Sequence, residues 1–92
     1  VDLRWELVAR RRPVRPRDPG DPAYEWRHYD RVVDAARAEG LRVLAAIWGT
    51  PAWAADPEVP PSDRFPPWAT RPSDPGDLAL FAAAAARRYA PR

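Results

Sequence analysis

Proline divides this 92-residue chain more firmly than any other residue type. Lacking an amide donor and fixed in φ, proline ends helices and interrupts sheet ladders. Pro13, Pro16 and Pro19 lie within "ARRRPVRPRDPGDP", and Pro51, Pro57, Pro60, Pro61, Pro66, Pro67 and Pro72 lie between Gly49 and Ser73. Both stretches are read as long loops, 7–21 and 49–74. Regular structure is left to the chain start, to 22–48 and to the residues after 74.

Within those intervals the patterns differ. Val1, Leu3 and Trp5 alternate with Asp2, Arg4 and Glu6, the period of a strand, predicted over 1–6. Asp21 before Pro22 is a helix start, because the carboxylate accepts from exposed amides and proline at the first position loses no needed donor. Trp26, Tyr29, Val33 and Ala36, with Val32, then form an apolar stripe, and Gly40 suits a left-handed helix end, which predicts a helix over 22–39. The run "LRVLAAIW" predicts a strand over 41–48 that is covered on both faces. Asp74 and Pro75 repeat the helix start; Leu78, Phe81, Ala82, Ala85 and Tyr89 form a second stripe; Pro91 stops the helix predicted over 75–90.

Strand, helix, strand, helix makes this an α/β chain with two parallel strands, a unit of doubly wound sheets and of (β/α)8 barrels. Two strands cannot close a barrel, so the expectation is an open β-α-β-α fragment whose neighbouring units lie elsewhere. A strand pattern that begins at Val1 agrees with a piece cut from a longer chain. The helix-to-strand connection is minimal at Gly40, whereas both strand-to-helix loops exceed the roughly 12–15 residues beyond which irregular segments tend to be functional or disordered. Both leave the C-terminal edge of the strands, where such folds place their ligand sites.

Composition narrows the possibilities. All fifteen basic residues are arginine, but thirteen carboxylates leave a net charge of only +2, which gives little steering toward nucleic acid. Arg10 to Arg17 lacks interleaved aromatics, and a solvated or carboxylate-paired loop accounts for it. No apolar run approaches the roughly 18 residues of a membrane span. Absence of cysteine removes disulfides and thiolate metal sites, the single histidine, His28, reads as a surface residue, and Gly20, Gly40, Gly49 and Gly76 stand too far apart for a phosphate loop. No cofactor, nucleic-acid or membrane partner is expected.

Five tryptophans in so short a chain are the positive signal. Flat aromatic faces with polar edges suit sugars, whose C–H faces stack on rings while charged side chains bond their hydroxyls. Arg4, Trp5 and Glu6 end the first strand; Trp48, Gly49, Thr50, Pro51 and Trp53 carry the second strand into its loop. For Trp48 the competing reading is core packing at the end of an apolar run, for Trp53 packing beneath the loop, and Trp5 is balanced between the two; Trp26, on the helix stripe, is core.

"VDLRWELV", "YDRVVDAARAEGLRVLAAIWGTPAWA" and "PSDPGDLALFAAAAARRYA" together resemble the second and third strand–helix units of the retaining glycoside hydrolase clan with (β/α)8 barrels, nearest to its cellulase-like family 5 and β-xylosidase-like family 39 members. That resemblance implies hydrolysis of O-glycosidic bonds by two glutamates on strands outside this sequence. It implies no catalytic residue here, and a place in the sugar-binding cleft for Trp5, Trp48, Gly49, Thr50, Pro51 and Trp53, with the remaining barrel units as structural partners; Arg4 and Glu6, from their place at the end of the first strand, are expected to add substrate contacts at the same rim. Glu6 and Asp2 share a strand face, but lie too far apart when extended to form a retaining pair about 5–5.5 Å wide. A non-catalytic carbohydrate- or protein-binding module is the alternative.

Overall fold

The computed structural model describes residues 1–58 and 67–90. Within them the chain forms β1 (Asp2–Arg4), α1 (Trp5–Val8), α2 (Arg27–Ala38), β2 (Ala46–Trp48), a short 3-10 turn (Pro67–Ala69) and α3 (Pro75–Tyr89). β1 and β2 pair in parallel, with Asp2 opposite Ala46, Leu3 opposite Ile47 and Arg4 opposite Trp48. This is a small α/β fold with a two-stranded parallel sheet that is not closed.

The strand predicted over 1–6 stops at Arg4. From Trp5 the backbone coils into one helical turn, closed by the Ala9 amide donating to the Trp5 carbonyl at 2.9 Å. Coiling places Trp5 and Val8 three residues apart on one buried side and leaves Leu7 exposed, where continued alternation would have sent them to opposite faces. Residues 7 and 8, predicted as loop, belong to this turn.

α2 begins later than the predicted 22, because Asp21 is committed elsewhere. Its Oδ2 accepts from the Val14 and Arg15 amides at 3.1 and 2.9 Å, and its Oδ1 from the Ala23 amide at 2.8 Å. The carboxylate thus ties the first loop to itself, and Tyr24 bridges back to Ala9 instead of entering a helix. Prolines in this loop lack amides but keep carbonyls: Pro16 accepts from the Tyr24 hydroxyl at 2.5 Å and Pro19 from the Trp26 indole at 2.8 Å. Burial, followed by the charge of Asp21, pushes the Tyr24 phenol up to about 12. At its other end α2 closes as predicted, with Gly40 at φ +72° and the Leu41 amide reaching the Ala36 carbonyl at 2.9 Å.

β2 occupies only the last three residues of the predicted strand 41–48. β1 offers three partners, and beyond them the pairing ends with the Ala46 amide on the Val1 carbonyl and the Val1 amino group on the Leu44 carbonyl. Cover on both faces is absent in the described chain, since Leu41 and Leu44 are 61% and 85% exposed. α3 follows its prediction to within one residue: the Asp74 carboxylate caps it by accepting from the Gly76 amide at 2.8 Å, with Pro75 in the first turn.

Sheet area is small, so cohesion comes from rings. Phe81 of α3 stacks on Trp26 at 5.7 Å and on Trp5 at 5.8 Å, with Tyr24 tilted against it at 5.9 Å. Leu3, Val8, Ala54, Ala84 and Ala85 complete this core. The end of α3 is tied to α2 by Arg88, whose Nε and Nη2 meet the Asp30 carboxylate at 2.8 and 2.5 Å, and by the Tyr89 hydroxyl on Asp30 at 2.9 Å. That carboxylate raises the Arg88 pKa through its hydrogen bond, against the opposing effect of burial.

Two outcomes follow. Phe81→Ala removes the ring shared by three others and lowers the unfolding free energy by about 3–5 kcal/mol, read from urea denaturation, whereas a loss under 1 kcal/mol would place the core elsewhere. Hydrogen bonds from Ala23 and Arg15 hold the Asp21 carboxyl below its ordinary range, so its contribution is present above that range and is lost as pH falls through the lowered value. Asp21→Asn therefore lowers Tm at pH 7, and the gap to the parent protein narrows on acidification; a gap that widens in acid contradicts the assignment.

Candidate functional site

Parallel pairing sends both long loops out from the same end of the sheet, and there they interlock. Trp53 donates its indole N–H to the Ala9 carbonyl at 2.7 Å, Arg12 bonds the Trp53 carbonyl at 3.3 Å with its guanidinium 4.6 Å from the Trp53 ring centre, and the same guanidinium reaches Asp77 at 3.3 Å. The second loop closes on itself through the Ala55–Pro72 bridge, with the Ser73 amide on the Ala54 carbonyl at 2.8 Å. It also returns to the strand end, where the Thr50 amide donates to the Trp68 carbonyl at 2.9 Å.

That return builds a compact cluster. Arg4, the last residue of β1, sits beside Trp48, the last of β2, because the register places them opposite one another. Its guanidinium carbon lies 4.3 Å from the Trp48 ring centre and 5.2 Å from that of Trp68, and the two indoles meet edge to face at 5.6 Å. Guanidinium over indole is attractive through the ring quadrupole and keeps the cation at the surface. The Arg4 backbone amide donates to the Tyr29 hydroxyl at 3.0 Å, which fixes the strand end against α2.

Glu6 lies beneath. Its carboxylate pairs with Arg4 Nη2, and its backbone amide donates to the Gly49 carbonyl at 3.1 Å. The Glu6 side chain is 12% exposed against 31% for Arg4, so the cation faces outward and the anion inward. Arg4 Nε and Glu6 Oε2 are buried without a hydrogen-bond partner among the described residues. Gly49 makes room for this carboxylate: its φ is +85°, and a Cβ there would overlap Glu6 Oε2.

The residues singled out in the sequence therefore separate. Arg4, Glu6 and Trp48 come together at the strand ends, with Trp48 38% exposed. Trp5 does not reach the rim; it is buried, stacked on Phe81 and edge-on to Trp53 at 5.7 Å. Trp53 packs beneath the first loop, and Thr50 is buried against the second. Trp68, which pattern reading passed over, is 42% exposed and completes the cluster. His28 is exposed on α2, as expected.

Among the described residues no group of His, Cys, Asp or Glu is arranged to hold a metal, and no helix is long and apolar enough to cross a membrane. The cluster offers stacking surfaces and a fixed cation; the one carboxylate it contains faces inward, paired with that cation.

The glycine requirement gives a paired test. Gly40→Ala at φ +72° meets no atom within 4 Å, so its cost is the left-handed strain alone, about 1–2 kcal/mol. Gly49→Ala adds displacement of the Glu6 carboxylate to the same strain and lowers Tm further than Gly40→Ala; equal losses would mean that Glu6 does not occupy the Gly49 cradle. Compared with protein-family models, curated proteins and solved structures, the chain matches none.

Proposed function

We propose that this chain is part of a (β/α)8 glycoside hydrolase, in which it supplies a non-catalytic sugar subsite at the mouth of the barrel. The observation that carries this reading is the meeting of Arg4 and Trp48, paired at the C-terminal end of two parallel strands, with Trp68, returned there by the second of two loops that are long on that side alone. Half-exposed indoles offer faces to the C–H surface of a pyranose, and Arg4 offers donors to its hydroxyls. The resemblance of the strand and helix motifs to retaining glycosidases points the same way. Exposed Leu41 and Leu44 beside an open sheet suit contact with neighbouring β/α units.

Glu6 is excluded from acid–base work by its place: it is turned inward, is paired with Arg4, and has no second carboxylate beside it among the described residues of the cluster. The 92-residue chain alone therefore hydrolyses no chromogenic glycoside, while titration with a neutral oligosaccharide such as xylopentaose shifts its tryptophan emission. Hydrolysis by the purified chain, or no response to neutral oligosaccharides, overturns the reading. Coding sequence downstream is expected to supply a strand ending in a catalytic glutamate.

The closed ring stack around Phe81 favours a second reading, a self-standing non-catalytic module that binds carbohydrate or protein. Cooperative melting of the isolated chain with saturable glycan binding and no downstream glutamate-bearing strands would select it.

A further inference from the structure

From the same cluster we infer that Glu6 is a specificity-determining residue, one that makes the subsite reject acidic saccharides by neutralising the cation that faces the ligand. The inference rests on the carbohydrate reading above and concerns which sugars that site takes. Arg4 alone, held between two indoles and partly exposed, would be a ready partner for a carboxylate or sulfate, since guanidinium groups bind such anions in a bidentate manner. In this chain it does not stand alone. Glu6 pairs with it from the buried side, and it is the one carboxylate among the described residues found on Arg4.

The two side chains differ in what they can touch. Arg4 and the indoles present surface, whereas both Glu6 carboxylate oxygens are buried, so Glu6 acts on a ligand through Arg4 and through its charge rather than by contact. A buried charge is little screened by salt, so its repulsion of an incoming carboxylate persists at ordinary ionic strength. A neutral hydroxyl feels no such repulsion and accepts from Arg4 as before. Gly49 serves the same arrangement, because any side chain there would occupy the space of the Glu6 carboxylate and free Arg4 from its partner.

The test is calorimetric titration of the 92-residue chain and of Glu6→Gln with two probes, xylopentaose and an oligogalacturonate of equal length. The parent chain is expected to bind the neutral probe in preference to the acidic one. Glu6→Gln keeps the shape, removes the charge, and should raise the acidic-to-neutral affinity ratio about tenfold, the order expected for one unit charge acting through a partly buried site. The double variant Arg4→Gln/Glu6→Gln should lose that gain. Glu6→Leu, which removes the charge and keeps apolar volume, reads the same ratio should the glutamine form not fold.

If the parent chain binds xylopentaose and Glu6→Gln leaves the ratio unchanged, this inference fails while the carbohydrate reading stands. If the parent chain prefers the acidic probe, the inference fails outright. If it binds neither probe, both fall. A loss of stability alone would weaken both ligands together, and the change in ratio excludes that explanation.

Discussion

Everything else in this fold depends on the stack of Trp5, Phe81 and Trp26. The sheet contributes three residues from each strand, too little to hold two long loops and two helices by itself. Phe81 solves this by lying between the indole of Trp5, which opens α1, and that of Trp26, which immediately precedes α2, at nearly parallel angles to both. One side chain on α3 thereby ties together the beginning, middle and end of the chain. Offset stacks of this kind contribute packing beyond their area and fix relative orientation, which a purely aliphatic core of the same volume would leave looser.

The stack also decides where the site is. Because Trp5 is drawn inward, the chain must coil at Trp5–Val8, and that turn carries Glu6 under Gly49. Arg4, one residue earlier, remains on the strand and points to Trp48. The cluster at the strand ends is thus a consequence of core packing a few residues away: the inward turn supplies the anion, the strand supplies the cation, and the positive-φ glycine supplies the space between them. Trp53 and Arg12 then pin the two loops to each other, which returns the second loop to the strand end and delivers Trp68.

Sequence pattern was sufficient where the determining contacts are local. The Asp74–Pro75 cap, the stripe through Phe81 and Ala85, and the left-handed Gly40 are written within a few residues, and α3 and the end of α2 formed where expected. Pattern failed where the deciding partner is distant. Asp21 beside Pro22 looks like a helix cap, yet its carboxylate is taken by amides six and seven residues upstream. Leu41 to Trp48 reads as a buried strand, but a strand extends only as far as its neighbour, and β1 ends the pairing at Asp2. Trp5 shared its alternation with Leu3, and both are indeed buried, a hint of core that its place at a strand end obscured. Trp68 had no local signal: it lies among prolines and reaches the site through an amide of Thr50.

What unites these observations is a division among the five tryptophans: Trp5, Trp26 and Trp53 pack within the protein, and Trp48 and Trp68 face outward, where the proposed ligand would meet them. The indole N–H resonances in a ¹H–¹⁵N correlation spectrum separate the five directly during a xylopentaose titration. The account predicts that the Trp48 and Trp68 signals move in a saturable manner while the other three hold still. Movement centred on Trp5, Trp26 or Trp53, or no movement at any of the five, would contradict it.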